Sequence, residues 1–372
     1  MKFSCEKTIL QTAVTTAGRV VATKSTIQAL EGVLLEATEG QLRISGYNLE
    51  TGIVTQTEAS IAEPGAIVLS ARLLGEILRR MPDDVVSLSS GTDLSVHIQC
   101  GPTSFDIIGS SDEDFPDLPT VSDGSSLSVA QSELRSMISQ TIFAVSDNES
   151  RPIHTGALFE ADGQELTMVA VDGYRLALRR GKLLQESPGR TSFVVPGAAL
   201  SEVEKICADS DAPVAITQGE RHVTFEIGNT LLVARRLEGD FLNYRQTIPT
   251  SNSIVIEVET ADLQRSIDRA SLIINEKLKK PLRCKFEDGS LSISSKTPIG
   301  SAFDRCPITG NGKGLEIGFN NRFLMEAVKA APAQRVRMEL NSPTSPCLLL
   351  PLKGKEDNFL YMVLPVRLSA QE

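Results

Sequence analysis

The chain contains no tryptophan, and aromatic residues make up only 5% of it. Proteins that hold single-stranded nucleic acid stack its bases on aromatic platforms, so this scarcity disfavours that mode. Histidine is nearly as rare: His97, His154 and His222 are the only three. His97 and His222 fall inside alternating strand patterns, where a surface or hydrogen-bonded histidine is the ordinary case. There is no Gly-x-Ser-x-Gly elbow and no His-Glu-x-x-His pair, and no group of side chains forms a catalytic constellation. The six cysteines, Cys5, Cys100, Cys207, Cys284, Cys306 and Cys347, include no Cys-x-x-Cys pair. Zinc sites usually need such close ligand pairs, so free thiols in a reducing compartment are expected, with no metal and no cofactor. Long apolar runs are absent too. Cys347–Leu352 is the longest, and Pro351 interrupts it, far short of the roughly 20 residues that span a bilayer. The opening Met1-Lys2-Phe3-Ser4-Cys5-Glu6-Lys7 has no apolar signal-peptide core, so a cytoplasmic location is expected.

Two further segments resemble ligand loops. Gly310-Asn311-Gly312-Lys313-Gly314 looks like part of a phosphate loop. It lacks the Walker spacing and the Ser/Thr after the lysine, and a strand-like segment follows, so it is read as a hairpin turn. Asp112-Glu113-Asp114 has no glycine-spaced cation-ligand pattern around it and is read as a solvated loop. The net charge of −10 argues against a surface coated in phosphate-binding residues. It does not exclude basic residues gathered on one face.

What the chain does contain is a pattern written three times. Gly32-Val33-Leu34-Leu35-Glu36 with Gly40-Gln41-Leu42-Arg43-Ile44 is followed by Gly156-Ala157-Leu158-Phe159-Glu160 with Gln164-Glu165-Leu166-Thr167-Met168. The third copy is Arg283-Cys284-Lys285-Phe286-Glu287 with Gly289-Ser290-Leu291-Ser292-Ile293. Leu42, Leu166 and Leu291 lie 124 and 125 positions apart. A period this long is a whole domain, not a solenoid unit of roughly 20–50 residues. Each copy reads as strand, amphipathic helix, β-hairpin, further strands, second helix and closing strands. The first helices are expected over Lys7–Val20, Gln131–Val145 and Thr260–Ile274, with Ile9, Leu10 and Ala13, then Leu134, Met137, Ile138 and Ile142, then Leu263, Ile267 and Leu272 at helical spacing. Ser132 with Glu133, and Thr260 with Asp262, act as start signals. The second helices are expected over Ala71–Met81, Gly197–Ala208 and Asn321–Ala331, with Pro82 and Pro332 stopping two of them. Leu42 and Ile44, then Leu94, Val96 and Ile98, then Val223, Phe225 and Ile227 alternate as strands. Asp162-Gly163, Asp288-Gly289 and Asn311-Gly312 supply turns. The fold class is α+β, with antiparallel sheets and helices on one face. Domain limits are expected at 1–122, 127–250 and 251–372, with linkers near Ser122–Ser126 and Pro249–Ser253.

One motif is left over, Asp172-Gly173-Tyr174-Arg175-Leu176. It makes either a small recognition pocket at a strand end or a β-turn with a surface arginine.

Taken with Asn275-Glu276-Lys277, Gly318-Phe319-Asn320, Leu364-Pro365-Val366-Arg367-Leu368, Met1-Lys2-Phe3 and Asp114-Phe115-Pro116, this motif resembles the β sliding clamps of bacterial DNA polymerase III, in order and along the whole chain. The resemblance implies three tandem copies of a DNA-clamp domain, with antiparallel sheets outside and two helices per domain inside. Two chains would close head to tail into a ring around double-stranded DNA. Such a clamp is non-catalytic and tethers the replicative polymerase, the clamp loader and repair factors, which bind through short peptides. By family position the DNA-facing residues are Lys24, Arg72, Arg79, Arg135, Lys205, Arg269 and Lys329. The homodimer seam uses Phe105 with Leu272 and Ile273. The peptide groove uses Arg151, His154, Val171, Gly173, Tyr174, Arg175, Leu176, Leu242, Gln246, Thr247, Leu278, Asn320, Phe323, Thr344, Pro346, Leu364, Pro365, Val366 and Arg367. Leu176, Leu364 and Val366 would line an apolar pocket for Leu and Phe anchors. The chain departs from the best-known pattern at His154 (aliphatic there), Leu242 (proline), Gln246 (arginine), and Leu364 and Val366 (methionines). Loss of two flexible methionines predicts the same ligand class with a different ranking of affinities. Two other readings compete: a triplicated scaffold hosting one active site, and a protein-interaction scaffold that never meets DNA. The basic set separates the last from the clamp.

Overall fold

The computed structural model describes residues 1–121, 124–275, 280–352 and 358–368. Each repeat supplies two amphipathic helices. In α1 (Lys7–Ala17), Leu10, Ala13, Val14 and Ala17 face the core. Ile9 was expected there but is exposed, because the buried stripe runs one position later. In α2 (Ala71–Arg80) the Ser70 hydroxyl accepts a hydrogen bond from the Leu73 amide, and Leu74, Ile77 and Leu78 are buried. Burying side chains of this size stabilises by about 1.5–3 kcal/mol each. Just past α3 (Gln131–Ser139) the Thr141 hydroxyl donates back to the Met137 carbonyl at 2.7 Å. The chain then tightens into a 3-10 turn at Ile142–Ala144, short of the predicted single helix to Val145. Next come α4 (Gly197–Ile206), the short α5 (Tyr244–Thr247), α6 (Thr260–Ser271) and α7 (Asn321–Ala330).

Thr260 is not a cap. Glu259 holds that position, and the Thr260 hydroxyl donates instead to the Ala333 carbonyl at 2.7 Å. The cap on α7 is well formed. Asn320 Oδ1 accepts from the amides of Arg322 at 3.0 Å and Phe323 at 3.2 Å, satisfying donors the helix cannot pair itself. Leu272 lies beyond the end of α6 and is exposed, not part of its buried stripe.

Every strand pair among the described residues is antiparallel. Ser60–Glu63, Lys2–Glu6, Val85–Ser90, Ser95–Cys100 and Thr103–Ile108 form a five-stranded sheet. Leu94 precedes its predicted strand, with φ 65°, in a turn. An eight-stranded sheet runs Ser125–Ala130, Pro213–Gln218, His222–Ile227, Thr230–Arg235, Thr51–Glu58, Gln41–Tyr47, Gly32–Thr38, Gly65–Ser70. A ten-stranded sheet runs Thr191–Pro196, Gly156–Asp162, Glu165–Val171, Arg175–Lys182, Phe359–Val363, Cys347–Leu350, Arg335–Leu340, Ile254–Glu259, Gly300–Phe319, Leu282–Thr297. In the third copy Leu282 pairs with Phe319 and Leu291 with Cys306. These match Val33 with Leu69 and Leu42 with Thr57 in the first. Gly163 and Gly289 adopt the left-handed conformation expected of turn glycines. Gly312 does not. The irregular stretch within Gly300–Phe319 uses positive φ at Gly310, Lys313 and Gly314 instead, and no helix follows it, so it is not a phosphate loop. Asp112–Asp114 is a 3-10 turn, and no cluster of metal-binding side chains occurs among the described residues. All six cysteines are buried free thiols.

By packing, the chain forms two compact units, Met1–Ser132 with Glu202–Arg236, and Glu133–Ser201 with Leu237–Glu372. The central repeat contributes to both. Its Thr230–Arg235 strand pairs with Thr51–Glu58 of the first copy, with Leu232 opposite Ile53. Its Arg175–Lys182 strand pairs with Phe359–Val363 of the third, with Arg175 opposite Val363.

Candidate functional site

The leftover motif is a turn, as one of its readings had it, but without the surface arginine that reading gave it. Asp172–Arg175 is a turn, but Arg175 is only 5% exposed. Asp172 Oδ1 accepts the amides of Tyr174 at 2.8 Å and Arg175 at 3.0 Å, and its Oδ2 accepts Arg175 Nε at 2.9 Å. Gly173 sits at φ 91°, where a side chain would strain the backbone. The turn drives Arg175 inward. There its guanidinium meets Glu326 of α7 and lies over two rings, 4.5 Å from the Phe323 centroid and 5.5 Å from that of Phe143. Glu326 also accepts from Arg322 Nε at 2.9 Å. Burial pushes the Glu326 carboxyl up, but hydrogen bonds from Arg175 and then Arg322 outweigh it and hold the group below its ordinary value. Above this network Tyr174 stacks on Phe323, centroids 6.0 Å apart and planes 23° from parallel.

The C-terminal segment is stitched to the same place. The Leu364 amide donates to the Tyr174 carbonyl at 2.9 Å, and the Val366 amide to the Gly318 carbonyl at 2.8 Å. A Cβ on Gly318 would lie 2.5 Å from the Val366 carbonyl oxygen. Gly318→Ala is therefore expected to push Leu364–Arg367 off its seat and lower the calorimetric unfolding midpoint by about 3–10 °C. An unchanged midpoint would show that the segment tolerates displacement.

A second wall rests on the same apolar cluster. Val171 and Leu176 are buried in it with Leu158, Val169, Leu178, Val194, Tyr244, Leu348 and Met362. Leu176 is thus core, not lining; of the other two residues expected to line an apolar pocket, Val366 is exposed and Leu364 half-buried. Ile153, Phe241 and Ile248 pack against the cluster from the segments that carry Arg151, His154, Leu242, Gln246 and Thr247. The His154 ring meets Phe241 edge-on at 5.6 Å. Burial, then Arg151, holds the imidazole below its ordinary value against an opposing pull from Asp172. Glu160 pins α5, accepting from the Tyr244 hydroxyl at 2.5 Å and from Arg245 at 2.8 and 3.1 Å. Thr344 and Arg367 line an open cleft of about 660 Å³ with Arg283, Glu316, Gly318 and Leu368. Pro346 is half-buried, next to the Cys347–Leu350 strand. Leu278 lies outside the described residues.

Sequence reasoning missed Glu326 and Glu160 as anchors. Nothing in the sequence ties Glu326 to an arginine 151 positions earlier.

The basic set is exposed throughout: Lys24 in a loop, Arg72 and Arg79 on α2, Arg135 on α3, Lys205 on α4, Arg269 on α6, Lys329 on α7. Three have acidic partners: Arg79 with Glu76, Lys205 with Glu202, Arg269 with Asp304. Phe105 is 37% exposed and Leu272 79%, while Ile273 is half-buried. Ile108, Ile299 and Phe303 are also exposed and were not anticipated.

Models of the N-terminal, central and C-terminal domains of the DNA polymerase III beta subunit match residues 1–119, 128–243 and 245–367. The beta sliding clamp of Staphylococcus epidermidis is 30% identical over 359 residues, covering 94% of each chain. That of Staphylococcus aureus is 28% identical over 377 residues, covering 99% of each. Among solved structures, the DNA polymerase sliding clamp of Bacillus subtilis has a TM-score of 0.93 at 28% identity, covering 99% of this chain and 100% of that one. With all three repeats matched in order, and with relatives aligned almost end to end, the chain belongs to the DNA polymerase III beta subunit family, the beta sliding clamps.

Proposed function

We infer that this protein is a non-catalytic processivity clamp for DNA replication, acting as a ring of two chains around duplex DNA. The observation that carries the DNA-facing part is the basic set: all seven residues are exposed, and six stand on helices whose other faces are buried. A ring that surrounds DNA is held by topology and needs only weak, sequence-independent phosphate contacts, which permit sliding. Glu76, Glu202 and Asp304 temper three of the cations, which suits a wall that must not grip.

The expected result is retention on nicked circular DNA and rapid loss once the circle is linearised. Equal loss from both forms would refute topological binding. On linear duplex, Arg72→Ala, Arg135→Ala and Lys329→Ala together lower the salt dependence of binding, by about 0.9 in slope for each phosphate no longer neutralised. An unchanged slope removes these residues from the DNA-facing set and favours a scaffold that never meets DNA.

Domain limits at 1–122, 127–250 and 251–372 belong to the same proposal, as does a head-to-tail seam through Phe105, Leu272 and Ile273. Polymerase, clamp loader and repair factors bind the groove built on the Asp172–Leu176 turn, α5, α7 and the Leu364–Arg367 segment. Val366 and Leu364, the Tyr174–Phe323 pair and the wall of His154 and Phe241 suit a short peptide with adjacent apolar anchors. Buried free thiols fit a reducing cytoplasm, and no helix among the described residues is long and apolar enough to cross a membrane.

A further inference from the structure

We propose that Glu326 is a positioning residue of the groove: it fixes Arg175 beneath Phe323, and this sets the aromatic face on which Tyr174 rests and against which a peptide's aromatic anchor packs. The inference rests on the peptide-groove reading above and adds to it a residue that presents no anchor of its own.

The geometry has a direction. Arg175 is held at one end by Asp172, on its own turn, and at the other by Glu326, on α7. Glu326 is therefore the tie between the turn that carries Tyr174 and the helix that carries Phe323. The guanidinium between them lies over the Phe323 ring, and its charge favours that face. Arg322 takes the remaining oxygen of Glu326, which leaves the carboxylate little freedom to swing away. Tyr174, by contrast, is 63% exposed. Its backbone is pinned by Asp172 and Leu364, while its ring has Phe323 as a stacking partner. Phe323 is thus the fixed member of the pair and Tyr174 the movable one. An incoming ring can displace or join Tyr174 only if Phe323 stays where Arg175 and Glu326 hold it.

The chain has four tyrosines and no tryptophan, so 3-fluorotyrosine labelling gives a simple fluorine NMR spectrum. Phe323→Leu identifies the Tyr174 signal by removing the ring current. In Glu326→Gln the Tyr174 signal is expected to move toward its Phe323→Leu position while the other three hold. Affinity for a synthetic peptide with adjacent Leu and Phe anchors is expected to fall at least about fivefold, less than for an interface hot spot because Glu326 acts through Arg175 and Phe323. A Tyr174 signal unmoved in folded Glu326→Gln, with peptide affinity unchanged within a factor of about two, overturns the proposal and leaves the groove standing. A shifted signal in a protein whose unaltered form does not bind the peptide sinks the groove reading and leaves the positioning role intact. Should Glu326→Gln fail to fold, the double variant Arg175→Met with Glu326→Leu removes both charges together, which cores often tolerate. A wild-type Tyr174 signal in that folded variant is equally fatal.

Discussion

Leu272→Asp is expected to run at the mass of one chain in multi-angle light scattering, at concentrations where the unaltered protein runs at twice that mass. Leu272 follows the last turn of α6 and is 79% exposed. An aspartate there leaves the folded chain untouched. In the proposed seam it would bury a carboxylate against Phe105, at a cost of about 2 kcal/mol or more. A head-to-tail dimer has two identical seams, so the penalty counts twice. About 4 kcal/mol raises the dissociation constant roughly 10³-fold. The unfolding midpoint of the isolated chain should stay where the wild-type monomer has it. Ile108 and Phe303, exposed at 76% and 66%, are the next residues to test if Leu272→Asp leaves a dimer, an outcome that would remove Leu272 from the seam.

Arg175→Ala is expected to destabilise the protein by about 3 kcal/mol, because it removes the buried cation that Glu326 and Asp172 share, leaving Glu326 with Arg322 alone and Asp172 with two backbone amides. For a unit of this size that is a drop of about 6–12 °C in the calorimetric midpoint. The Phe323 ring is also left without the cation that lies over its face, which adds to the cost. The pH dependence follows from Glu326. Its folded-state value is depressed, chiefly by Arg175 working against burial. The stabilisation is therefore complete above the unfolded carboxyl value of about 4.3 and disappears as pH falls through the lower folded value. The gap between wild type and variant should hold from neutral pH to about 5 and shrink in stronger acid. A midpoint shift below about 2 °C at neutral pH would show that the network is solvated and weak.

The two anchoring networks show how differently parts of this site can be read. The turn at Asp172-Gly173 is visible in the sequence because local hydrogen bonds and a left-handed glycine dictate it. The fate of Arg175 is not, because a strand-end arginine looks the same whether it points to water or to a carboxylate on a distant helix. Leu176 misleads for a similar reason: an apolar residue beside a groove motif reads as lining, and packing places it in the core. Thr260 looked like a helix cap, but Glu259 holds that position, and the Thr260 hydroxyl, one residue inside the helix, donates to the Ala333 carbonyl.

Sequence by itself determined the three-fold repeat, the α+β class, and the positions of the six long helices to within a few residues except where α3 breaks into a 3-10 turn. These follow from local periodicity, helix-stopping prolines and residue types, which act over a few turns of chain. Tertiary structure alone decided that the central repeat shares its strands between two sheets, one with each neighbour. It alone decided that Arg175 is buried between Asp172 and Glu326. Strand edges pair across any sequence distance, and a buried charge is stable only beside its partner. Both depend on what the folded chain brings together, which no local pattern encodes.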